Sequence, residues 1–595
     1  MQRTISNTLP GHIGETVFMA GWLHNVRILG KIAFLLLRDR GGIAQLVLET
    51  KEQINLVKDL QPGSVIEASG IVKEAKQAEL GVEITNVQLK ITNPVHELWP
   101  IEVNKNEIHA NLETILDYRP LSLRNRRIQA VFKIQATLVK AYREILTKED
   151  FVEFFGPNII GASSEGGSEL FKVKYFDNEA MLSQSAQLYK QIMVGAYERV
   201  FALMKCFRAE KSNTRRHITE ATQFEFEMAF INSFEEVMDM LEKVVKYMVK
   251  TVKTECAKEV ALLDGKILNA PEDVAFPRIP FHDAQQIYFE RTGLDERKEI
   301  DLSPAAEKEL CQYAREKFGT DFIFIPHFPT QKVAFYAKPN EKNPEVADYF
   351  DLLAGEAEIT SGGQRINDHD ELVESLKRKG LNPANFTDYL MIFKYGMPKH
   401  GGFGMGMERF TMQLLQLENV REATTFPSDT KRVASVPLAA KVFLGNSIGE
   451  EIVKRLQASG MEFQELHHEA TPTSEDSARV RNSKLSEGVK AMILKGKTTG
   501  KNIMVNVPAN QRVDLKKIAE LEGEKFEFEK PEVIKAKFGL VVGSVPPFGN
   551  LLGLKTYFSK DIEKEPRVAF NRGSLTDSIV MQSKDLVKLI EPVMF

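Results

Sequence analysis

Two strand-like arms around a cation-rich polar loop, residues 200–230, constrain this chain more than any other segment. The first arm, 200–208, is mostly apolar and β-compatible, and the second, 222–230, alternates Gln223, Glu225 and Glu227 with Phe224, Phe226 and Met228. That alternation predicts a hairpin burying one face and showing charge on the other. Arg208 leaves the first arm, and Arg215, Arg216 and His217 sit in the loop. Guanidinium groups make bidentate, charge-assisted bonds, which suits them to phosphate oxygens. Read alone, the same charges fit a salt-bridged surface hairpin equally well.

Residues 401–406 break the tie. Gly401, Gly402, Gly404 and Gly406 lead into an apolar-periodic stretch with Phe410, Leu414 and Leu415, so a strand is expected to run into a helix near Arg409. Glycine lets a ligand approach the backbone closely, although one such stretch more often marks a tight turn. Taken together, the hairpin and the glycine strand resemble motifs 2 and 3 of class II aminoacyl-tRNA synthetases. Residues 207–230 are similar to the aspartyl branch of archaeal and eukaryotic type. The resemblance places motif 1 in a helix over 127–148, a strand over 151–155 and Pro157, and implies a homodimer interface there.

The chain's 595 residues suffice for three or four domains. With 43% apolar and 27% charged residues it reads as globular, not disordered. Apolar runs stop short of the roughly 18 residues that a membrane span needs, and residues 1–15 have no apolar core of a secretory signal. Cys206, Cys256 and Cys311 are too scattered for a disulfide framework or a zinc site, so a cytoplasmic location is expected. A net charge of −4 argues against a broad nucleic-acid binder but leaves room for tRNA held through local basic patches.

Four regions are expected: an N-terminal OB-fold β-barrel at 1–100, a hinge at 101–125, an α+β catalytic core with an antiparallel sheet at 126–436, and a C-terminal α+β module at 437–595. Short alternating stretches with turns at 39–42 and 62–63 suggest the barrel. The resemblance implies that it reads the anticodon, with Phe34 stacking on a base and Gln45 and Glu83 hydrogen-bonding it; such stacking is worth about 1–3 kcal/mol per base. Phe34 as plain barrel core is the competing reading. His24 aligns near the anticodon pocket where strict members often differ, which implies relaxed recognition of tRNA(Asn) beside tRNA(Asp).

Within the core, residues 183–191 resemble the aspartyl signature in which Gln187 and Lys190 hold L-aspartate. Lys190 and Arg365 together would place two cations on the side-chain carboxylate, which an asparagine amide satisfies less well. Asp351, Glu358 and Ser361 are hard oxygen donors suited to Mg²⁺ bridging ATP phosphates. Glu165, followed by Gly166 and Gly167, falls where the family has a lid over the substrate ammonium group. The resemblance assigns ATP to Arg208, Glu210, Arg216, His217, Glu358 and Arg409, with Glu210 on the adenine or on the accepting terminal adenosine. It further implies two steps, adenylate formation and transfer to tRNA, in which Arg208, Glu210 and Arg409 act by positioning and charge neutralisation without a protein nucleophile. Where many relatives stack a phenylalanine on adenine, this chain has Ala221. Phe224, His217 or Arg409 alone would have to take that place.

Aspartyl synthetases usually end near residues 426–432, yet about 160 residues follow here. A helix over 448–460, then His467, His468 and Lys490, a loop with Gly543, Pro546, Pro547 and Gly549, and residues 570–574 resemble the editing-domain superfamily of prolyl-tRNA deacylases. In that superfamily a lysine on a helix and a glycine-proline loop line a pocket where water cleaves a misattached amino acid, and Lys490, Gly543, Pro546, Pro547 and Gly549 match those positions. A rigid turn and a solvated lysine are the plainer readings. A second site makes sense where one pocket separates similar amino acids by only about 1–3 kcal/mol, although a doubly cationic aspartate pocket already rejects small neutral ones. The alternatives for the whole chain are an asparaginyl synthetase, a non-catalytic tRNA-binding paralogue lacking the motif residues, and an amide-forming paralogue lacking the barrel.

Overall fold

Alternation near the N-terminus closes into a five-stranded barrel in a computed structural model describing residues 2–161, 170–209, 214–434, 436–437, 448–471 and 473–595, with only backbone at 436, 437 and 536. In spatial order its strands are Thr16–Leu29, Ile32–Arg38, Ile43–Leu48, Val82–Asn93 and Val65–Glu74, and the last pairs back onto the first. Gln45 faces Glu83 across the barrel's one parallel pair. Leu35, Leu37, Leu46 and Ile66 fill the interior. The connecting segment holds two short helices, Leu112–Asp117 and Arg119–Ser122. Arg119 is buried there, donating through Nε and Nη2 to the Thr425 and Thr424 carbonyls at 2.7 and 2.6 Å.

The core is a seven-stranded sheet in the order Phe322–Pro326, Tyr349–Ala354, Ala357–Gln364, His400–Gly406, Glu220–Ala229, Arg199–Phe207 and Val152–Glu153. Neighbours run antiparallel except for the last pair. The expected hairpin is present, with Phe207 opposite Glu220. Period-two alternation divides its returning arm: Phe224, Phe226 and Met228 face a core filled from the helices Arg126–Lys148 and Glu235–Glu255, and Ala221, Gln223 and Glu225 line the opposite face. The glycine strand continues into the helix Met407–Leu414, as its sequence suggests.

Residues 1–430 and 431–595 separate into two compact units. Besides the short pair Arg432–Val433 and Val436–Pro437, the second contains two larger sheets, Phe463–His467, Asp577–Gln582 and Arg567–Asn571 in one, and Phe526–Phe528, Val489–Gly496, Asn502–Pro508, Lys555–Phe558 and Val593–Met594 in the other. The helix expected over 448–460 spans Ile448–Ser459. Lys490 is not on a helix: it lies on the strand Val489–Gly496, where Val489, Ile493 and Leu494 are buried. The three cysteines are buried and unbridged. Among the described residues no helix is long and apolar enough to cross a membrane.

Candidate active site and a second cavity

The cavity-facing side of the hairpin forms the floor of a recess of about 380 Å³ lined by Gln187, Arg208, Arg216, His217, Glu225, Glu358, Ser361, Arg365 and Arg409, among others. One helix, Gln187–Tyr197, buries Gln187, Lys190, Gln191 and Val194, the i, i+3, i+4, i+7 face of a helical turn pattern. Lys190 points through that face into the sheet. Its Nζ donates to Glu225 Oε2 at 2.6 Å and to the Phe403 carbonyl at 2.9 Å, and it lies 3.4 Å from Glu227 Oε2. Arg365 Nε donates to Glu227 Oε1 at 2.8 Å and Nη2 to the Gly402 carbonyl at 2.8 Å. All four charged side chains are at most 3% exposed.

This arrangement corrects the picture of two bare cations waiting for one carboxylate. Lys190 and Arg365 are matched by Glu225 and Glu227, two acids whose role the sequence reading did not single out. The alternation of the returning arm was the available signal, because it already put both glutamates on the face opposite the core. Burial pushes the Glu227 carboxyl up, but Arg365 and Lys190 outweigh it and hold it below its ordinary range. Burial drives His400 in the other direction, down to about 4, with Glu227 opposing, so its ring is neutral at physiological pH.

A neutral His400 orders the amides beside it. Its Nδ1 lies 2.8 Å from the Pro398 carbonyl, which fixes the proton there and leaves Nε2 to accept from Gln191 Nε2 at 2.9 Å. Gln191 Oε1 then accepts from Gln187 Nε2 and from the Tyr389 hydroxyl, each at 2.9 Å. Gln187 is thereby oriented with its carbonyl oxygen available to a donor in the cavity.

The sheet's other edge supplies carboxylates. Between Leu352 and Leu353 the pairing slips, so that Leu352 faces Thr360 and Leu353 faces Glu358, leaving Ile359 as an extra residue. Without that bulge, Glu358 and Ser361 would point to opposite faces. With it, Ser361 Oγ donates to Glu358 Oε1 at 2.7 Å, and both line the cavity. Asp351 sits opposite Ser361, one layer below the lining, and accepts from Lys332 Nζ at 2.8 Å. Burial raises its carboxyl, Lys332 opposes this, and nearby Glu358 adds to the rise. Asp351 Oδ1 is buried and makes no hydrogen bond, the condition of an oxygen suited to a hard cation.

Arg216 donates through Nη1 to Glu307 Oε2 at 2.8 Å and through Nη2 to the Glu356 carbonyl at 3.1 Å. His217 Nδ1 lies 2.6 Å from Thr214 Oγ1, and Arg409 Nη1 donates to the Glu358 carbonyl at 3.4 Å. Phe224 is removed as an adenine platform: it is fully buried on the opposite face of its strand, with its ring 4.6 Å from that of Tyr142. His217 and Arg409 remain on the cavity wall. Glu165 and Glu210 lie outside the described residues.

On the barrel, Phe34 is half-buried between the fully buried Ala33 and Leu35, so it belongs to the outer surface and not to the barrel core. Gln45 Nε2 donates to Glu83 Oε2 at 2.9 Å on the same outer surface. His24 is the extra residue of a bulge between Leu23 and Asn25 and lines a crevice with Trp99, Arg124 and Arg126.

The C-terminal unit has its own cavity of about 500 Å³. Lys490 and Gly543 line it, but Pro546, Pro547 and Gly549 do not. The two prolines of the loop are buried, and a Cβ on Gly549 would meet Thr556 Oγ1 at 2.2 Å, so this glycine is required by packing. The sequence reading also missed Arg481 on this wall, which directly follows the helix Ser474–Val480.

An antiparallel sheet whose central hairpin and glycine strand present arginines to a deep polar cavity is the core of a class II synthetase, and this chain belongs to that family: residues 111–430 match the tRNA synthetases class II (D, K and N). Residues 17–91 match the OB-fold nucleic acid binding domain and residues 468–589 the aminoacyl-tRNA editing domain. The chain is an aminoacyl-tRNA ligase by this membership. Among curated relatives it is 41% identical over 431 residues to the aspartate-tRNA(Asp/Asn) ligase of Thermus thermophilus, covering 72% of this chain and 99% of that one. It is 42% identical over 429 residues to the aspartate-tRNA(Asp) ligase of Pyrococcus abyssi, covering 71% and 96%. Among solved structures, asparaginyl-tRNA synthetase from Pyrococcus horikoshii with asparaginyl-adenylate superposes with a TM-score of 0.67 at 33% identity, covering 73% of this chain and 99% of that one. Aspartyl tRNA synthetase from Entamoeba histolytica gives 0.65 at 27% identity, covering 73% and 93%.

Proposed function

We propose that this chain is an aspartate-tRNA ligase that uses ATP to form aspartyl-adenylate and transfers the aspartyl group to tRNA(Asp), and to tRNA(Asn) as well. The observation that carries the reading is the cavity joining Gln187 and Arg365 with Arg208, Arg216, His217, Glu358 and Arg409. The aspartate α-carboxylate attacks the α-phosphorus, an oxygen–phosphorus bond forms, and the bond to pyrophosphate breaks. The terminal ribose hydroxyl of tRNA then attacks the acyl carbon, loses its proton, and AMP leaves. Arg208 neutralises charge at the α-phosphate and Arg409 at the γ-phosphate, with Arg216 and His217 along the nucleotide and Glu210 at the adenine or terminal adenosine. Gln187 and Glu165 receive the substrate ammonium group, while Arg365 on the cavity wall meets its side-chain carboxylate and Lys190, beneath the wall, balances Glu225 and Glu227.

Asp351, Glu358 and Ser361 would hold Mg²⁺, and the orphaned Asp351 Oδ1 fits a cation. Bound there, the ion would neutralise phosphate charge. Phe34, Gln45 and Glu83 are the proposed anticodon contacts, the barrel 1–100, hinge 101–125, core 126–436 and editing-like module 437–595 the proposed organisation, and a cytoplasmic homodimer the proposed working form. The edge strand Val152–Glu153 and the 82%-exposed Phe155 supply apolar surface for that dimer. We further propose that the C-terminal module hydrolyses mischarged aminoacyl-tRNA at the Lys490 and Gly543 wall, with Pro546, Pro547 and Gly549 as the scaffold behind it.

Charging of the two tRNAs, measured at equal concentrations, tests the reading. Aspartylation of both at similar rates is expected. Strong preference for the aspartate anticodon would overturn the relaxed choice, and charging of neither would overturn the ligase reading.

A further inference from the structure

The second cavity is lined by two cations, Arg481 and Lys490, neither of which makes an ion pair among the described residues. Arg481 Nε donates to Ser578 Oγ at 2.9 Å and its Nη2 donates to Asn571 Oδ1, both neutral acceptors. Asn571 is itself held by donating to the Gly543 carbonyl at 2.7 Å, and Ser578 Oγ donates to Asn571 Oδ1 at 3.0 Å and contacts His468 Nε2 at 2.6 Å. The guanidinium is thus fixed by a built network. Among the described residues, Arg481 has no carboxylate within ion-pair distance, and burial alone draws its pKa down, to about 10. Lys490 Nζ, on the same wall, reaches the Ala509 carbonyl at 3.4 Å. The one acid among the lining residues, Glu529, is occupied by Asn502 Nδ2 at 2.7 Å and by the Lys530 amide at 3.1 Å.

Holding a half-buried charge without a counter-ion is costly, and here the uncompensated charge borders a cavity large enough for an aminoacylated nucleoside end. Two buried arginines show other solutions: Arg365 pairs with Glu227, and Arg119 turns to backbone carbonyls. We propose that Arg481 is the anion receptor of the C-terminal cavity, taking an oxyanion of the aminoacyl-tRNA end: the carboxylate of an acidic aminoacyl side chain or the phosphodiester of the terminal nucleotide. This rests on the deacylase reading of the module and adds the chemistry of what it selects. Ile493, Ile534 and Val545 in the same lining offer apolar contact.

The test uses the full chain with its synthetase site saturated by a non-hydrolysable aspartyl-adenylate analogue. Four probes are titrated calorimetrically: 3′-deoxyadenosine carrying a 3′-amide-linked aspartyl or alanyl group, each with and without a 5′-phosphate. Wild type is expected to favour either the aspartyl or the phosphorylated probes by about tenfold or more, the scale of one charge-assisted contact. Arg481→Gln should erase that preference, while Arg481→Lys should keep part of it at an unchanged melting temperature. A preference for the aspartyl probes identifies the side-chain carboxylate, and a preference for the 5′-phosphate identifies the phosphodiester. Absence of any preference, or one that survives Arg481→Gln, overturns the proposal. Deacylation of mischarged tRNA is scored separately: hydrolysis with selectivity indifferent to Arg481 contradicts this inference and leaves the deacylase reading standing. Anion-dependent binding without hydrolysis does the reverse.

Discussion

Lys190 is almost fully enclosed, and the carboxylates of Glu225 and Glu227 lie within ion-pair distance of its Nζ. Removing one partner of a buried pair strands the other charge and typically costs about 3–5 kcal/mol. Lys190→Met is therefore expected to lower the melting temperature and abolish aspartate activation. Adding Glu225→Gln should recover most of the stability but none of the activity, which thermal melting and exchange assays on both variants would separate. His217 and Phe224 make a contrasting pair. His217→Ala should raise KM for ATP by up to about tenfold through lost stacking, whereas Phe224→Leu, which alters only the packing against Tyr142, should cost about 1 kcal/mol of stability and leave that KM unchanged. His400 gives a pH signature. Its pKa is depressed from 6.5 to about 4, so it contributes stability that is complete above 6.5 and is lost as pH falls toward 4. Between pH 7.5 and 5.5 wild type should lose more stability than His400→Gln, by about 1 kcal/mol, read as a difference of about 1–2 °C in the melting shift.

At the scale of elements, the strand His400–Gly406 is glycine-rich because its neighbours leave no room. A Cβ at Gly402 would meet the Phe226 carbonyl at 2.0 Å and Glu227 Oε2 at 2.3 Å. Gly402→Ala should therefore part the sheet and disturb the ion cluster together, with a stability loss of about 1–3 kcal/mol or more and loss of activation; a variant with wild-type melting and activity would contradict this. Alternation in residues 222–230 and the glycine pattern at 401–406 made both strands and the cavity face legible in the sequence. The bulge at Ile359 was not, because nothing in residues 357–364 distinguishes an extra residue from regular pairing, yet it alone brings Glu358 and Ser361 to one side. Lys490 was expected on a helix by resemblance alone; in the stretch Val489–Gly496 the apolar residues do not settle between periods, and pairing with Asn502–Pro508 makes it a strand. The matching of Lys190 and Arg365 by Glu225 and Glu227 depends on three elements meeting, which a linear pattern does not disclose.

Over the whole molecule, the division between Thr430 and Lys431 separates two units with independent cores. The second unit has a size at which domains ordinarily fold alone, and the first holds the barrel and the catalytic core, each with a hydrophobic cluster of its own. A chain cut to residues 1–430 is expected to fold and activate aspartate at close to the full-length rate, while losing any deacylase activity; an insoluble or inactive product would show that the units depend on each other. The barrel should be separable in function though not in fold. Phe34→Ala is expected to reduce kcat/KM for tRNA by about tenfold or more, the value of one stacked base, while amino-acid activation stays intact. The central claim is the choice of amino acid, since both aspartyl and asparaginyl enzymes superpose on this fold. ATP–pyrophosphate exchange with purified full-length protein, run with aspartate and asparagine separately, tests it most directly. Exchange dependent on aspartate and near background with asparagine is the predicted result; exchange supported by asparagine alone would contradict the account.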